Sequence, residues 1–263
     1  MKVLLTGAAG GIGTATFAEL RERGALVVGL DLLAGPDILA CDVRDQASVD
    51  KAVTQAIGRL GGLDVLINNA GLGLPQSAGA APDDDALAVI DVNLLGPWRV
   101  TSAALRALRE SRGRVVNVAS GLAHLALPWG TAYCMSKRGL TAYSDALRLE
   151  YGDQIDVTTV YPGYIKTPIH KASEEDGFAL DGVVPEENLS DAADVMVRAA
   201  LQDNPPRDIA TTRRGGVQYA FLRRVPRSMV DRATLGYLRA QVRRGKFARS
   251  EMASDFVANL KAR

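Results

Sequence analysis

A glycine-rich turn is the first feature of the chain that could do chemistry, and it reads Thr6-Gly7-Ala8-Ala9-Gly10-Gly11-Ile12-Gly13. An apolar run precedes it and an amphipathic stretch follows, so the turn joins a strand to a helix. Glycines let the backbone approach a phosphate, and N–H groups at a helix start can hold a pyrophosphate. Two registers stay open, one using Gly10 and the other Gly11 between Gly7 and Gly13. Both predict a dinucleotide-binding turn.

An acidic residue follows the turn at the spacing expected of a dinucleotide site. Asp31 ends the second apolar run, where a carboxylate can accept hydrogen bonds from the adenosine ribose and would repel a 2′-phosphate. Arg and Lys are missing from the turn and from the positions directly after the run, which hold Ala9, Gly10, Leu32 and Leu33. The pattern therefore predicts NAD in preference to NADP.

A second candidate group is the pair Tyr133 and Lys137, which are four residues apart in a stretch that we predict to be helical. That spacing brings both side chains to one helix face. A neighbouring ammonium favours the phenolate, so we expect the pKa of Tyr133 to fall below its ordinary value of about 10. Such a tyrosine can donate or accept a proton at a carbonyl or hydroxyl oxygen.

The elements that must position these residues alternate between short apolar runs and longer amphipathic stretches. This alternation predicts an α/β fold of the Rossmann type, a doubly wound parallel sheet of about seven strands with helices on both faces. We predict strands at 2–6, 26–30, 38–40, 65–67, 114–118 and 157–160, with a weak seventh near 208–211. Helices are predicted at 11–23, 46–60, 83–109, 131–151 and 190–202.

Composition restricts the classes further. The chain has 263 residues, a net charge of +1, 47% hydrophobic and 23% charged residues, which excludes an intrinsically disordered protein. Two cysteines are too few for a disulfide framework, and without a Cys/His cluster we expect no metal site and a cytoplasmic location. No window approaches the roughly 20 apolar residues of a membrane-spanning helix.

The C-terminal part differs in charge from the rest. Residues 207–249 contain twelve Arg or Lys and only two Asp, and Pro226 suits the first position of an amphipathic helix. We divide the chain into a core at 1–205 and a basic helical extension of the same domain at 206–263. The extension could cover a pocket, form a subunit interface or lie on an anionic membrane; we favour an Arg-rich solvated face packed by its apolar side. Neither nucleic acid nor a membrane is an expected partner.

Together with further motifs, these residues resemble the short-chain dehydrogenase/reductase family, in its compact single-domain branch. The resemblance covers about residues 1–170, and its motifs stand in family order and spacing. They are Thr6-Gly7-x-x-x-Gly11-x-Gly13, Asp42 in Cys41-Asp42-Val43, Asn68-Asn69-Ala70-Gly71, Asn93, Ser120, Tyr133, Lys137, and Pro162-Gly163 followed by Thr167.

The resemblance implies a role for each of four catalytic residues. Tyr133 would be the general acid/base, and Lys137 would lower its pKa and hold the nicotinamide ribose. Ser120 would bind the substrate oxygen, and Asn93 would hold a water that relays protons to Lys137. Besides Tyr133 and Lys137, the implied cofactor contacts are Gly7, Gly11, Ile12, Gly13, Asp31, Asp42, Val43, Asn69, Ala70, Gly71, Pro162, Gly163, Ile165 and Thr167.

The substrate side is expected to be apolar. Ser120, Leu122, His124, Trp129, Tyr133 and Tyr164 are the expected substrate contacts, with Leu125 and Leu127 in the same wall. Scarce hydrogen-bonding groups favour a bulky hydrophobic alcohol or ketone, steroid-like or otherwise cyclic. His124 is either a contact to a second substrate oxygen or a residue at the solvent edge. Residues 169–189 lie where this family has a mobile lid.

The resemblance implies hydride transfer between NAD(H) and a secondary alcohol or ketone, by a homodimer or homotetramer. Two alternatives remain open. The register through Gly10 permits a nucleotide-sugar epimerase or dehydratase of the extended branch, although the chain has no substantial sugar-nucleotide domain. The other alternative is a non-catalytic module that binds NAD(H) and reports redox state to a partner.

Overall fold

A seven-stranded parallel sheet forms the centre of the protein. The computed structural model describes residues 1–176 and 186–261, and the strand order is β3-β2-β1-β4-β5-β6-β7 with parallel pairing throughout. The strands are β1 Lys2–Thr6, β2 Leu26–Asp31, β3 Ile38–Ala40, β4 Val65–Asn68, β5 Arg114–Val118, β6 Asp156–Tyr161 and β7 Asp208–Ala210. The order reverses between β1 and β4, where such sheets open a crevice at their carboxyl edge.

Helices cover both faces of the sheet, as the sequence predicts. They are α1 Gly11–Glu22, α2 Gln46–Leu60, α3 Asp84–Ile90, α4 Gly96–Ser111, α5 Thr131–Tyr151, α6 Lys171–Glu175, α7 Leu189–Leu201, α8 Arg213–Leu222, α9 Arg227–Arg243 and α10 Ser254–Lys261. One apolar layer lies under α2 and α4, around Leu66 and Val115. The other lies under α1 and α7, around Ile67 and Met196. The predicted Rossmann-type fold is confirmed.

The helix predicted at 83–109 is divided by a π-helical turn, Asp91–Leu95. Pro97 is the second residue of α4 and carries no N–H, so the carbonyl of Asn93 cannot receive the hydrogen bond that a continuous α-helix would require. The Asn93 side chain is fully buried and bonds in both directions to the backbone of Leu72. The apolar pattern of the sequence does not indicate this interruption, because apolar residues continue through it.

A buried polar network fixes α5 to the sheet. The Asn68 amide on β4 donates to Asn117 on β5 (2.9 Å), and the Asn117 amide donates to Ser144 on α5 (2.9 Å). Hydrogen bonds of this kind are directional, and leaving one partner unpaired in the interior is costly. The network therefore sets the position of the helix that carries Tyr133 and Lys137.

The first element of the predicted basic extension is a strand of the central sheet. Strand β7 lies within the predicted extension at 206–263 and pairs with β6, so the core continues past residue 205. Pro226 immediately precedes α9 and does not occupy its first helical position. Leu238 and Val242 of α9 bury their side chains against Trp129 and Phe247. In the described ranges, none of the helices is long and apolar enough to cross a bilayer.

Candidate active site

The glycine turn lies at the carboxyl edge of β1, and its geometry decides between the two registers. Gly7 has a φ of +65°, and a β-carbon there would lie 2.7 Å from the Cα of Ala70. A β-carbon at Gly13 would collide with the carbonyl of Gly7, and one at Gly11 would lie 2.7 Å from a methyl carbon of Thr167. At Gly10 the nearest atom would be 3.4 Å away. Gly7, Gly11 and Gly13 are therefore the positions that require glycine.

The turn is held in place by the motif that follows β4. The Thr6 hydroxyl accepts hydrogen bonds from the N–H groups of Asn69 and Ala70, both at 3.0 Å. The Asn69 amide in turn donates to the carbonyls of Thr6 (3.0 Å) and Gly7 (3.1 Å). These bonds tie the glycine turn to the neighbouring strand and leave the N-terminus of α1 open to the cavity.

Two carboxylates stand at the far end of the same cavity. Asp31 accepts hydrogen bonds from the N–H groups of Ala9 and Leu32, each at 2.8 Å. Asp42 forms an ion pair with Arg44 at 2.7 Å, and this contact keeps the pKa of Asp42 below its ordinary value. Arg44 lines the cavity as well, a positive charge that the sequence reasoning did not consider.

The three predicted reacting side chains meet in one place. Ser120 follows β5 and hydrogen-bonds to Tyr133 of α5. Lys137 lies one turn further along α5 and is only 3% exposed, and its Nζ donates to the carbonyl of Val118 at 2.9 Å. Its ammonium is 5.7 Å from the centroid of the Tyr133 ring. The carboxyl end of β5 and one face of α5 thus supply a hydroxyl, a phenol and an ammonium.

The pKa of Tyr133 differs from the sequence expectation. Burial raises it to about 12, and the hydrogen bond to Ser120 opposes this shift without cancelling it. Burial also lowers the pKa of Lys137 to about 8. Reasoning from the Tyr–Lys pair alone predicted a lowered tyrosine pKa because it omitted the cost of removing a charge from water.

Asn93 lies apart from the three reacting side chains. Its amide donates to the carbonyl of Leu72 (2.8 Å) and to the hydroxyl of Ser136 (3.1 Å), on the same helix as Lys137. The side chain does not line the cavity. Pro97, four residues further along the chain, has no N–H to donate to the Asn93 backbone carbonyl.

The glycine turn, the two carboxylates, Arg44 and the Ser120, Tyr133 and Lys137 side chains line one cavity of about 1160 Å³. It runs along the carboxyl edge of the sheet from Asp31 and Arg44 to Ser120 and Tyr133. The predicted site residues that line it are Gly7, Gly11, Ile12, Gly13, Asp31, Asp42, Val43, Asn69, Ala70, Gly71, Ser120, Leu122, Tyr133, Lys137, Pro162, Gly163, Tyr164, Ile165 and Thr167.

Two predicted substrate contacts lie elsewhere. His124 is buried behind the wall between the rings of Tyr161 and Tyr219, with its Nε2 3.2 Å from Arg223, so it is at neither the substrate nor the solvent edge. Burial and the nearby arginines lower its pKa to about 4. Trp129 packs against Phe247 and the α9 side chains. We correct the expectation that His124 and Trp129 contact substrate, because the C-terminal helices cover both.

The structure adds wall residues that no motif indicates. Helix α8, in the basic extension, contributes Arg214, Gln218 and Tyr219, and the segment before α7 contributes Glu187. Glu187 accepts hydrogen bonds from the N–H of Gly163 (2.9 Å) and from the hydroxyls of Thr211 and Thr212. The clustering of Gly163 with these two threonines was not visible in the sequence, since the partners are about 25 to 48 residues apart.

The predicted lid at 169–189 is described only at its ends. Residues 177–185, including Gly177 and Gly182, lie outside the described residues. At the near end, Ile169, Lys171 and Glu175 line the cavity. At the far end, Glu187 donates its N–H to the carbonyl of Tyr164 at 2.7 Å.

The cavity has the features that a nicotinamide dinucleotide requires. A helix N-terminus with glycines in close backbone contact suits a pyrophosphate, and a carboxylate at the end of β2 suits a ribose diol. Ser120, Tyr133 and Lys137 line the opposite end of the cavity. No group of three or more metal-ligating side chains occurs in the part of the chain that is described.

The fold and this site together define an oxidoreductase with a Rossmann-type dinucleotide cleft. The family follows from comparison with known proteins: the family described as "short chain dehydrogenase" matches residues 1–177, and the chain belongs to it. It is 32% identical to oxidoreductase UcpA of Escherichia coli K12 over 217 residues, which cover 76% of this chain and 81% of the relative. It is 34% identical to D-threitol dehydrogenase of Mycolicibacterium smegmatis over 201 residues, 69% of this chain and 77% of the relative.

Solved structures show the same architecture. A short chain dehydrogenase from Burkholderia cenocepacia J2315, in complex with NADP, is 26% identical with a TM-score of 0.74, and the match covers 88% of this chain and 96% of that one. Levodione reductase is also 26% identical, with a TM-score of 0.72 over 83% of this chain and 97% of its own. Both matches leave part of the present chain uncovered.

Proposed function

We propose that the protein is an NAD-dependent dehydrogenase/reductase that transfers a hydride between the cofactor and a secondary alcohol or ketone. One observation carries the proposal: Ser120, Tyr133 and Lys137 lie together at one end of the cavity that the glycine turn and Asp31 occupy at the other, with Tyr133 hydrogen-bonded to Ser120 and the Lys137 ammonium against the Tyr133 ring. The bound cofactor would supply or accept the hydride. The remaining steps belong to side chains of this chain.

In the direction of reduction, the hydroxyls of Ser120 and Tyr133 donate hydrogen bonds to the substrate oxygen. The high pKa of Tyr133 keeps its proton in place until negative charge develops on that oxygen. The Lys137 ammonium, which lies against the Tyr133 ring, stabilises the phenolate that remains after proton transfer. A proton then returns to Tyr133 by way of Lys137 and a water held at the Asn93 carbonyl.

The preference for NAD is part of the proposal, and Asp31 supports it. Its carboxylate lies at the ribose end of the cavity, fixed by the N–H groups of Ala9 and Leu32, and would repel a 2′-phosphate. Arg44 lines the same end, but Asp42 binds its guanidinium through two oxygens. The Burkholderia structure contains NADP, so the preference of this chain needs a direct measurement.

A bulky, lipophilic and preferably cyclic substrate is proposed from the cavity walls. Leu122, Leu125, Leu127 and Ile169 line the cavity, as does Tyr164. The relatives' names include D-threitol dehydrogenase and 3-oxoacyl-[acyl-carrier-protein] reductase, and these do not select a substrate class for this chain.

A homodimer or homotetramer in the cytoplasm completes the proposal. Its support is a set of large apolar side chains exposed on α4 and α5, among them Trp98, Met135 and Leu149. Exposed apolar side chains on adjoining helices are typical of a surface covered by another subunit. Size-exclusion chromatography with light scattering would measure the state directly.

The experiment that tests the proposed reaction measures initial rates with NAD and NADP across alcohols from small polyols to fused-ring compounds. The Tyr133→Phe variant should lose about 10²- to 10⁴-fold in kcat while retaining its affinity for NADH. Tyr151→Phe, at the end of the same helix and outside the cavity lining, is the matched control. Near-normal activity of Tyr133→Phe would overturn the assignment. Cofactor binding without turnover of any alcohol or ketone would favour the non-catalytic module.

A further inference from the structure

Helix α8 brings a second phenol to the reacting end of the cavity. Tyr219 lines the cavity and lies against Gly121, the residue that follows Ser120. A β-carbon at Gly121 would lie 2.7 Å from Cζ of Tyr219 and closer still to its hydroxyl. Consecutive Cα atoms are only about 3.8 Å apart, and Ser120, Gly121 and Tyr219 all line the cavity, so Tyr219 lies at the same end of it as Ser120.

The Tyr219 ring is held firmly by its neighbours. It packs 5.3 Å from the ring of His124 and 6.2 Å from that of Tyr161, measured between centroids. Arg223 contacts the His124 ring at 3.2 Å, and Arg227 donates to the His124 carbonyl at 2.7 Å. These contacts fasten α8 and α9 to the segment after Ser120, so Tyr219 keeps a defined place relative to it.

The hydroxyl of Tyr219 is free to bind a ligand. It forms no hydrogen bond with any side chain or backbone group among residues 1–176 and 186–261. Burial and the carboxylate of Glu187 raise its pKa to about 12, so it remains a neutral donor. Tyr161, in the same ring cluster, instead donates to Asp208 at 3.0 Å and does not line the cavity.

We propose that the Tyr219 hydroxyl donates a hydrogen bond to a second oxygen of the substrate, and that this contact determines specificity. The substrate class is then a hydroxyketone, diketone or diol whose second oxygen lies a few bonds from the reacting carbon, on an otherwise apolar skeleton. The proposal rests on the proposed function, because the Ser120 and Tyr133 end must hold the reacting oxygen. A site with a partly buried donor that has no protein partner favours a substrate that supplies the matching acceptor over an analogue that lacks it.

The test compares a cyclic monoketone with the dione of the same skeleton, for one six-membered ring and one fused two-ring compound. The unaltered protein should show the higher kcat/KM for each dione. Tyr219→Phe should lower kcat/KM for the diones by about 5- to 10-fold and leave that for the monoketones nearly unchanged. Tyr161→Phe, the matched loss of a neighbouring phenol, should leave the ratio between dione and monoketone unchanged.

A second variant tests the same contact by displacing the Tyr219 hydroxyl instead of removing it. Gly121→Ala places a methyl group where the Tyr219 hydroxyl lies, so it should reduce the dione preference while Tyr219 is still present. Equal losses on monoketones and diones in Tyr219→Phe would overturn the proposal, as would an unchanged preference for the diones.

The outcome also separates this inference from the proposed function. Turnover of monoketones without any dione preference would retain the reaction and reject the role of Tyr219. If no ketone reacts, the proposed reaction fails, and Tyr219 is judged by binding. NADH fluorescence then measures ketone affinity: weaker dione binding in Tyr219→Phe supports the contact, and equal binding rejects it.

Discussion

Replacing Lys137 with methionine should stabilise the protein without cofactor even as it removes activity. Lys137 is buried, and its charged form has no carboxylate partner among residues 1–176 and 186–261; its hydrogen bond goes to the Val118 carbonyl. Its pKa falls from 10.5 to about 8. Because one pKa unit corresponds to about 1.4 kcal/mol, burial of the ammonium costs about 3 kcal/mol of folding free energy at pH 7.

Part of the stabilisation expected from removing the buried ammonium is offset by the loss of its hydrogen bond. Methionine leaves the Val118 carbonyl without its donor, which costs about 1 kcal/mol. The net expectation at pH 7 is a stabilisation of about 2 kcal/mol, or a rise in Tm of about 4 to 8 °C for a domain of this size. Residues that are placed for catalysis often lower the free energy of unfolding of the protein.

The pH dependence of the free energy of unfolding gives a sharper test than its value at pH 7. The folded pKa lies below the unfolded one, so between pH 8 and 10.5 the unfolded chain binds more protons and the penalty on the unaltered protein disappears as pH rises. At pH 10 it is below about 1 kcal/mol, which the lost hydrogen bond offsets. Urea unfolding of both proteins at pH 7 and 10 measures the difference.

The exposed Lys51 on α2 supplies the matched control. Lys51→Met should change stability by less than about 0.5 kcal/mol at both pH values. A Lys137→Met protein that is less stable than the unaltered one at pH 7, or whose advantage persists unchanged at pH 10, would refute the reasoning.

Three further predictions use the same structure. Asp31→Ala should lower the ratio of kcat/KM with NAD to that with NADP, because it removes the charge that repels a 2′-phosphate; an unchanged ratio would show that the ribose end is misassigned. Gly13→Ala should destabilise by about 1–3 kcal/mol in thermal unfolding, whereas Gly10→Ala, with a 3.4 Å clearance, should not. His124 has a folded pKa of about 4, below its unfolded value of 6.5, so stability falls as pH drops through 6.5; His124→Gln should remove about 2 kcal/mol of that loss by pH 5, as urea titrations would reveal.

The sheet was largely predictable because each strand is a short apolar run with a turn at its end. Predicted and observed bounds of β1, β3 and β5 agree; β2, β4 and β7 differ by one residue at one end, and β6 by one residue at each end. The division between α3 and α4 escaped prediction, since a π-helical turn at Asp91–Leu95 keeps the apolar residues on one side. The signal in the sequence was Pro97, which lies in the interior of the predicted helix at 83–109 and cannot donate a backbone hydrogen bond there.

The placement of Tyr133 beside Lys137 was predictable for a local reason, and the composition of the opposite cavity wall was not. Tyr133 and Lys137 face one way because they are one helical turn apart, whatever surrounds them. The opposite wall comes from α8, about 100 residues beyond Ser120, and its place follows from how Arg223 and Arg227 reach His124. His124 and Trp129 looked available for substrate because the sequence does not show which later helix will cover them.

The pKa of Tyr133 could not be predicted from its pairing with Lys137 alone. The distance between Tyr133 and Lys137 is a property of one helix, but the free energy of their charges depends on how much water the whole fold excludes. Burial shifts both pKa values toward the neutral forms, a phenol that holds its proton and an amine that releases one more readily. The charged forms of Tyr133 and Lys137 are therefore destabilised in the protein without ligands. We expect bound cofactor and substrate to supply the groups that stabilise these charges, so that the reaction proceeds only when both are present.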